Sequence, residues 1–202
     1  QETMSVNGDG TLSVLEACHN NQVNNLVFAS SAAVYGEVSE LPIKEIATLG
    51  PLSSYGESKM LAEQHISSYK NLNKIKRAVS LRIFNVYGKG QGSEADVISQ
   101  FASRLLSGMA AEVQGTGSQT RDFISVEDVV DAFILSVRLM EESENRNSDH
   151  FTSPLVFNIG TGIPTSIKEL ATKMINISGL DLQPDYKDGN DTRVIQHSYA
   201  DI

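Results

Sequence analysis

The sequence predicts an α/β fold built on a parallel sheet, and three observations carry that prediction. Three short, largely apolar runs, Leu26–Ala29, Ala78–Phe84 and Leu155–Ile159, have the make-up of strands buried on both faces. Segments of helical period separate them. Each run also ends in small or turn-forming residues: Ser30-Ser31-Ala32-Ala33, Asn85-Val86-Tyr87-Gly88 and Gly160-Thr161-Gly162. Open α/β sheets seat ligands at such carboxyl ends.

The elements follow in order. Val6 to Ala17 reads as the carboxyl-terminal half of a helix, with Gly8 and Gly10 weakening its start and Asn20-Asn21 closing it. Glu37 to Pro51 is a loop carrying Pro42, Gly50 and Pro51. Ser54-x-x-Glu57 has the form of a capping box that opens a helix to about Tyr69. The strands on either side of that helix make a right-handed parallel βαβ unit. Lys89-Gly90-Gln91-Gly92 is a glycine loop, but the G-x-G-x-x-G spacing of dinucleotide sites occurs nowhere in the chain.

Val97 to Leu106 has helical spacing, followed by a short strand at Glu112–Gln114. A strand over Arg121–Ile124 feeds a mostly apolar helix, Val126 to Met140, which is expected to be well buried. Glu141 to Pro154 reads as an exposed polar loop, and Ser166-x-x-Glu169 caps a helix running from Ile167 to Ile177. Gly160-Thr161-Gly162 lacks a third glycine and is followed by Pro164, so a structural turn is preferred to a phosphate loop. The chain is polar after Gln183. Residues 1–88, with 121–140 and 155–160, are expected to form the principal domain. Residues 89–120 and 161–202 would form a smaller lobe of discontinuous pieces.

Composition narrows the function. A net charge of −9 argues against nucleic-acid and anionic membrane surfaces, which need clustered Lys and Arg. The single Cys18 excludes an intramolecular disulfide and fits a reducing cytoplasm. The four His residues have no metal-ligand spacing, and no metal site is expected. No apolar run approaches membrane-spanning length. The chain begins at Gln1, inside a helix pattern, and so reads as a fragment.

Tyr55-Gly56-Glu57-Ser58-Lys59 is the one Tyr-x-x-x-Lys in the chain. On a helix, positions i and i+4 share a face. A neighbouring ammonium favours the phenolate, which is what a base needs to take the proton of a sugar hydroxyl while its carbon gives up hydride.

VNGDGTLSVLEA, FASSAAVYG, PLSSYGESK, LRIFNVYGKGQ, GTGSQTRDFISVEDVV, VFNIGTG and SYADI, in this order, resemble the extended short-chain dehydrogenase/reductase family. Within it they are most similar to nucleotide-sugar 4-epimerases of the UDP-glucose and UDP-N-acetylglucosamine type. The resemblance implies a Rossmann-type domain binding NAD, with a small α/β substrate lobe. It implies Tyr55 as base, Lys59 on the nicotinamide ribose and Ser31 on the reacting hydroxyl, through a 4-keto sugar and with no net redox change. Asn7, Ala29, Ser30, Phe84 and Val86 would join Tyr55 and Lys59 around NAD. Asn85, Val97, Glu112, Gln114, Arg121, Lys187 and Arg193 would join Ser31 around a UDP-sugar, with Arg121 on the diphosphate. A homodimer paired through the helices near 6–17 and 54–69 is also implied.

The family's glycine-rich first turn, the acidic residue after its second strand and roughly its first three strands have no counterpart here. NAD binding by this chain alone is therefore expected to be poor. Lys187-Asp188-Gly189-Asn190 stands where Arg-x-Gly-Asp is expected. A dehydratase is disfavoured because Ala32 and Ala33 occupy the positions of its acid–base pair. A decarboxylase, a reductase or a non-catalytic NAD-binding scaffold remain as alternatives.

Overall fold

The computed structural model describes residues 2–92, 96–145, 151–188 and 195–202. Its first helical stretch comprises α1 (Glu2–Met4), a π turn (Ser5–Asp9) and α2 (Gly10–Asn20). It is longer at both ends than the periodicity predicts, and both glycines lie inside it. Strand β1 (Asn25–Ser31) leads through a 3-10 turn (Ala32–Val34) and the 37–51 loop to α3 (Ser54–Asn71). Next come β2 (Arg77–Ile83), β3 (Asn85–Tyr87), α4 (Val97–Leu106), β4 (Glu112–Gln114) and β5 (Thr120–Ser125). The remainder is α5 (Val126–Asn145), β6 (Leu155–Ile159), β7 (Pro164–Ser166), α6 (Ile167–Ser178), β8 (Asp185–Lys187) and β9 (His197–Ser198).

The three apolar runs form one sheet in the order β1-β2-β6, parallel throughout. Successive residues of a strand face opposite ways, and β2 shows the consequence. Ala78 joins a core with Leu15, Ile66, Tyr69 and Ile75 under α2 and α3. Its neighbour Val79, with Leu81, joins Met140 and Phe151 on the α5 side. Helices therefore cover both faces, as parallel sheets require. A second core forms where Phe101 and Leu105 of α4 meet Ile167, Leu170 and Ile175 of α6 over Val113.

Four expectations need correction. Ser53, not Ser54, caps α3, its hydroxyl accepting from Gly56 N at 3.1 Å, because the first helical residue lies one position earlier than the box implies. The helix α5 continues through Asn145, and Phe151 is buried, so 141–154 is not one exposed loop. The same helix is only partly buried. Val126, Val130, Ile134 and Val137, at spacings of four, four and three, form a stripe open to solvent among the described residues, with Val130 51% exposed. The polar stretch after Gln183 also contributes strands: β8 pairs parallel with β4, and β9 with β5.

The α3 side of the sheet carries a buried ionic network. Arg82 of β2 donates from Nε and Nη2 to the two oxygens of Glu63 on α3, at 3.0 and 2.7 Å. Ser30 Oγ donates to Glu63 Oε1 at 2.5 Å, and Arg82 Nη1 reaches Tyr35 Oη at 3.1 Å and Glu45 O at 2.9 Å. Tyr35 Oη donates to Asn158 Oδ1 at 2.6 Å, and Asn158 Nδ2 donates to Ile43 O at 2.7 Å. Burial raises the Tyr35 pKa, against the lowering effect of Arg82. For Arg82, burial works to lower the pKa, and the bonds to Glu63 and Tyr35 outweigh it and raise it.

Glu63→Gln keeps the shape and removes the counter-charge, so it is expected to destabilise the chain by ~3–5 kcal/mol in urea unfolding. The apolar pair Arg82→Met with Glu63→Leu is expected to cost less than that single change, because it leaves no uncompensated charge.

Candidate active site

The site lies at the carboxyl end of β1, where the strand hands over to the 3-10 turn. Ser31 caps that turn, its Oγ accepting from Ala33 N at 3.2 Å. Tyr55 and Lys59 occupy the first turns of α3, and Tyr55 is 44% exposed. The approach of α3 to this turn depends on Gly56, where a Cβ would stand 2.4 Å from Ala33 O and 2.9 Å from Pro51 Cβ. No larger residue lets the Tyr55 end of the helix settle onto the Ser31–Ala33 backbone.

Lys59 Nζ donates to Ala29 O at 3.0 Å and stands 5.1 Å from the Phe28 ring centroid and 5.7 Å from that of Tyr55. Ring faces attract a cation at such range. Among the described residues no carboxylate forms an ion pair with Lys59. Burial lowers its pKa from the ordinary lysine value. An ammonium with one carbonyl bond and two further N–H donors suits a vicinal diol such as a ribose. Asn7, in the π turn, donates from Nδ2 to Ser58 Oγ at 3.0 Å, and Ser58 Oγ donates to Tyr55 O at 2.7 Å.

The remaining expected residues separate into groups. Ala29 lends its carbonyl to Lys59, whereas the Ser30 hydroxyl is committed to Glu63 in the buried network. Phe84 is buried in a core with Val34, Tyr35, Ile43 and Ala200. Val86 is half-buried on β3, its carbonyl accepting from Gln91 Nε2 at 3.1 Å.

A cleft of about 830 Å³ gathers Asn85, Val97, Glu112, Gln114 and Arg121, five of the expected substrate residues drawn from four elements. Asp96, Gln100, Ser103, Arg104 and Gln119 also line it, and sequence reasoning did not select them. Arg121 donates to Thr120 O at 2.8 Å and to Gln196 O at 3.5 Å. Its pKa is lowered by burial, which the nearby Glu37 partly opposes. Arg104 donates to Ala110 O at 2.7 Å and pairs with Glu112 at 3.4 Å. Lys187 is not brought to the cleft wall; it pairs with Asp185 at 2.9 Å on the exposed strand β8. Arg193 lies outside the described residues. Among the described residues no cluster of metal-ligating side chains exists, and no helix is long and apolar enough to cross a membrane.

The arrangement is thus a Ser-bearing strand end beside a Tyr-x-x-x-Lys helix, with an Arg-lined cleft. Residues 1–160 match the NAD-dependent epimerase/dehydratase family model. The chain belongs to that family. Among curated members of the epimerase/dehydratase family, it is 39% identical over 168 residues to a Methanocaldococcus jannaschii protein provisionally named UDP-glucose 4-epimerase, covering 82% of this chain and 50% of that protein. The UDP-glucose 4-epimerase of Mycolicibacterium smegmatis is 33% identical over 185 residues, 90% of this chain and 55% of that one. A solved UDP-N-acetylglucosamine 4-epimerase from Methanobrevibacter ruminantium, in complex with UDP-N-acetylmuramic acid, superposes with a TM-score of 0.86 at 32% identity, covering 98% of this chain and 60% of that one. The chain thus spans about half the length of the curated relatives it matches. The fold is accordingly the Rossmann-type α/β architecture expected.

Two measurements check this geometry. Gly56→Ala is expected to cost ~1–3 kcal/mol in urea unfolding, since backbone must move to admit the methyl. Gly10→Ala, whose Cβ would meet Ser5 O at an ordinary 3.8 Å, should cost nothing. Because burial depresses the Lys59 pKa in the folded state, the unfolded chain holds more of that proton between the depressed and the ordinary value. The penalty is present in full below the depressed value and disappears as pH rises toward the ordinary lysine range. Lys59→Met should therefore show a smaller gain in stability across that alkaline window than the parent chain.

Proposed function

We propose that the polypeptide to which this sequence belongs is a nucleotide-sugar 4-epimerase acting on UDP-sugars of the glucose and galactose type with NAD. The observation that carries the reading is the pairing of Ser31 and Tyr55–Lys59 at one strand end with a separate cleft holding Arg121 and Asn85. The printed names and ligands of the relatives support it. So does the Thermus thermophilus UDP-glucose 4-epimerase solved with NAD, which superposes with a TM-score of 0.80 at 30% identity, covering 97% of this chain and 61% of that one.

In this reading residues 1–88, 121–140 and 155–160 serve the cofactor, and 89–120 and 161–202 serve the substrate. Tyr55 takes the proton of the sugar C4 hydroxyl, helped by the neighbouring positive charge of Lys59. Ser31 donates a hydrogen bond to the same oxygen as it becomes a ketone. Lys59 turns its remaining N–H donors to the nicotinamide ribose, and Asn7, Ala29, Phe84 and Val86 complete that side. NAD supplies a hydride acceptor that returns the hydride, so the reaction consumes no oxidant. Arg121 takes the diphosphate through its planar fork, a bidentate geometry for which guanidinium is suited. A homodimer in the cytoplasm belongs to the same reading.

The residues fit the nicotinamide end of the cofactor better than its pyrophosphate. The helix-opening glycine fingerprint that would cradle phosphates is nowhere in the sequence. Calorimetric titration of the 202-residue chain is therefore expected to show UDP binding and little or no NAD binding. Tight NAD binding would sink the pyrophosphate argument, and absence of UDP binding would sink the assignment of the cleft. With the full-length polypeptide, Tyr55→Phe is expected to abolish sugar interconversion while UDP affinity stays unchanged. Retained turnover would remove Tyr55 from its role as base.

A further inference from the structure

Asp122 is fully buried beside the Arg121 cleft and belongs to neither of the groups described above. Its carboxylate accepts four hydrogen bonds. Oδ1 receives Thr161 N at 2.7 Å and Thr161 Oγ1 at 2.6 Å; Oδ2 receives Gly162 N at 2.9 Å and Ala200 N at 3.1 Å. These donors come from two separate segments, the turn that follows β6 and the carboxyl-terminal stretch 195–202. Gly160 makes the approach possible, since a Cβ there would lie 2.5 Å from Asp122 Oδ2.

The carboxyl-terminal segment reaches the expected site residues. The stretch 195–202 runs beside β5, pairing Thr120 with His197 and Arg121 with Ser198. Gln196 O accepts from Arg121 Nη1, and Gln196 N donates to Glu37, just past the turn that Ser31 caps. Further on, Tyr199 O accepts from Ile43 N and Asp201 N donates to Ile43 O, both at 2.9 Å. One short strap therefore touches the Arg121 cleft, the loop after Ser31 and the buried Asn158–Ile43 bond. The Asp122 carboxylate joins that strap, at Ala200, to the strand that carries Arg121.

We propose that Asp122 is a positioning residue: its carboxylate pins the strap 195–202 and the Gly160–Gly162 turn to β5, and so holds Arg121 at the cleft wall. The inference rests on the assignment of Arg121 to a nucleotide diphosphate. Four N–H and O–H donors converging on one buried carboxylate need an acceptor on both oxygens. An amide in its place turns an NH2 group toward at least one of those donors and leaves it unpaired.

The test uses the 202-residue chain, its Asp122→Asn variant and its Thr161→Val variant, which removes one of the four bonds to Asp122 together with the bond Thr161 Oγ1 accepts from Ile163 N, and touches no cleft residue. Amide hydrogen exchange is followed at Thr161, Gly162 and Ala200, with β1 and β2 amides as internal reference, and UDP affinity is measured by calorimetry. Faster exchange at Ala200 is expected in both variants, larger in Asp122→Asn, with the reference strands unchanged. The UDP dissociation constant of folded Asp122→Asn is expected to rise about tenfold, with a smaller rise in Thr161→Val. A role in stability alone would lower the melting temperature and leave the UDP constant of the folded variants at its parent value, which overturns the proposal. Unchanged Ala200 exchange overturns it as well. If Asp122→Asn does not fold, Thr161→Val decides by the same two readings. If the parent chain itself fails to bind UDP, the nucleotide assignment falls, and Ala200 exchange still decides whether the pin exists.

Discussion

A guanidinium buried between a central strand and the helix that carries Tyr55 sets most of this structure. Arg82 cannot be desolvated alone, so Glu63 must face it, and that requirement aligns α3 over β2. The same pair binds Ser30 of β1 and Tyr35 just past the Ser31 turn, and it takes a backbone carbonyl from the 37–51 loop. Apolar packing around Leu15, Ile66 and Ala78 provides most of the driving force for this layer but tolerates sliding. Directional bonds to both carboxylate oxygens do not. The position of Ser31 relative to the start of α3 thus follows from an ion pair on the buried side of the sheet.

Strand β5 repeats the device with one carboxylate. Asp122 accepts four bonds from two chain segments, where Glu63 serves one guanidinium and one hydroxyl. On each strand a side chain expected at the ligand stands next to a residue of a buried polar hub: Ser31 beside Ser30, Arg121 beside Asp122. Adjacent strand residues face opposite ways, so one neighbour is exposed to the ligand space while the other anchors the strand. That alternation also explains why Ser30, grouped with Ala29 by the family pattern, sends its hydroxyl into the core.

Not every surface is resolved by packing within the chain. The α5 stripe from Val126 to Val137 keeps apolar side chains in solvent among the described residues, on a helix whose other face covers β1 and β2. Its composition is that of a helix buried all round, which is why sequence reasoning buried it. Burial depends on what lies opposite, and composition does not report that.

The sequence by itself determined the order and kind of the main elements, because hydrophobic period and cap chemistry are local. Val97–Leu106 and Leu155–Ile159 match their expected bounds, and Ser166 caps α6 as its spacing requires. It also determined the Tyr-x-x-x-Lys helix, and five residues that the family resemblance implied line the cleft beside others that it did not. Short strands escaped, since β3, β7, β8 and β9 have two or three residues each and exist only through partners distant in the chain. Tertiary structure alone decided that Glu63 meets Arg82, that Lys59 rests on Ala29 O, that Lys187 turns to Asp185, and that Asp122 gathers Thr161 and Ala200. Apart from Lys187 and Asp185, two residues apart on one strand, each contact joins groups whose own segments carry no record of one another, fixed only when strand register and helix placement bring them within hydrogen-bond reach.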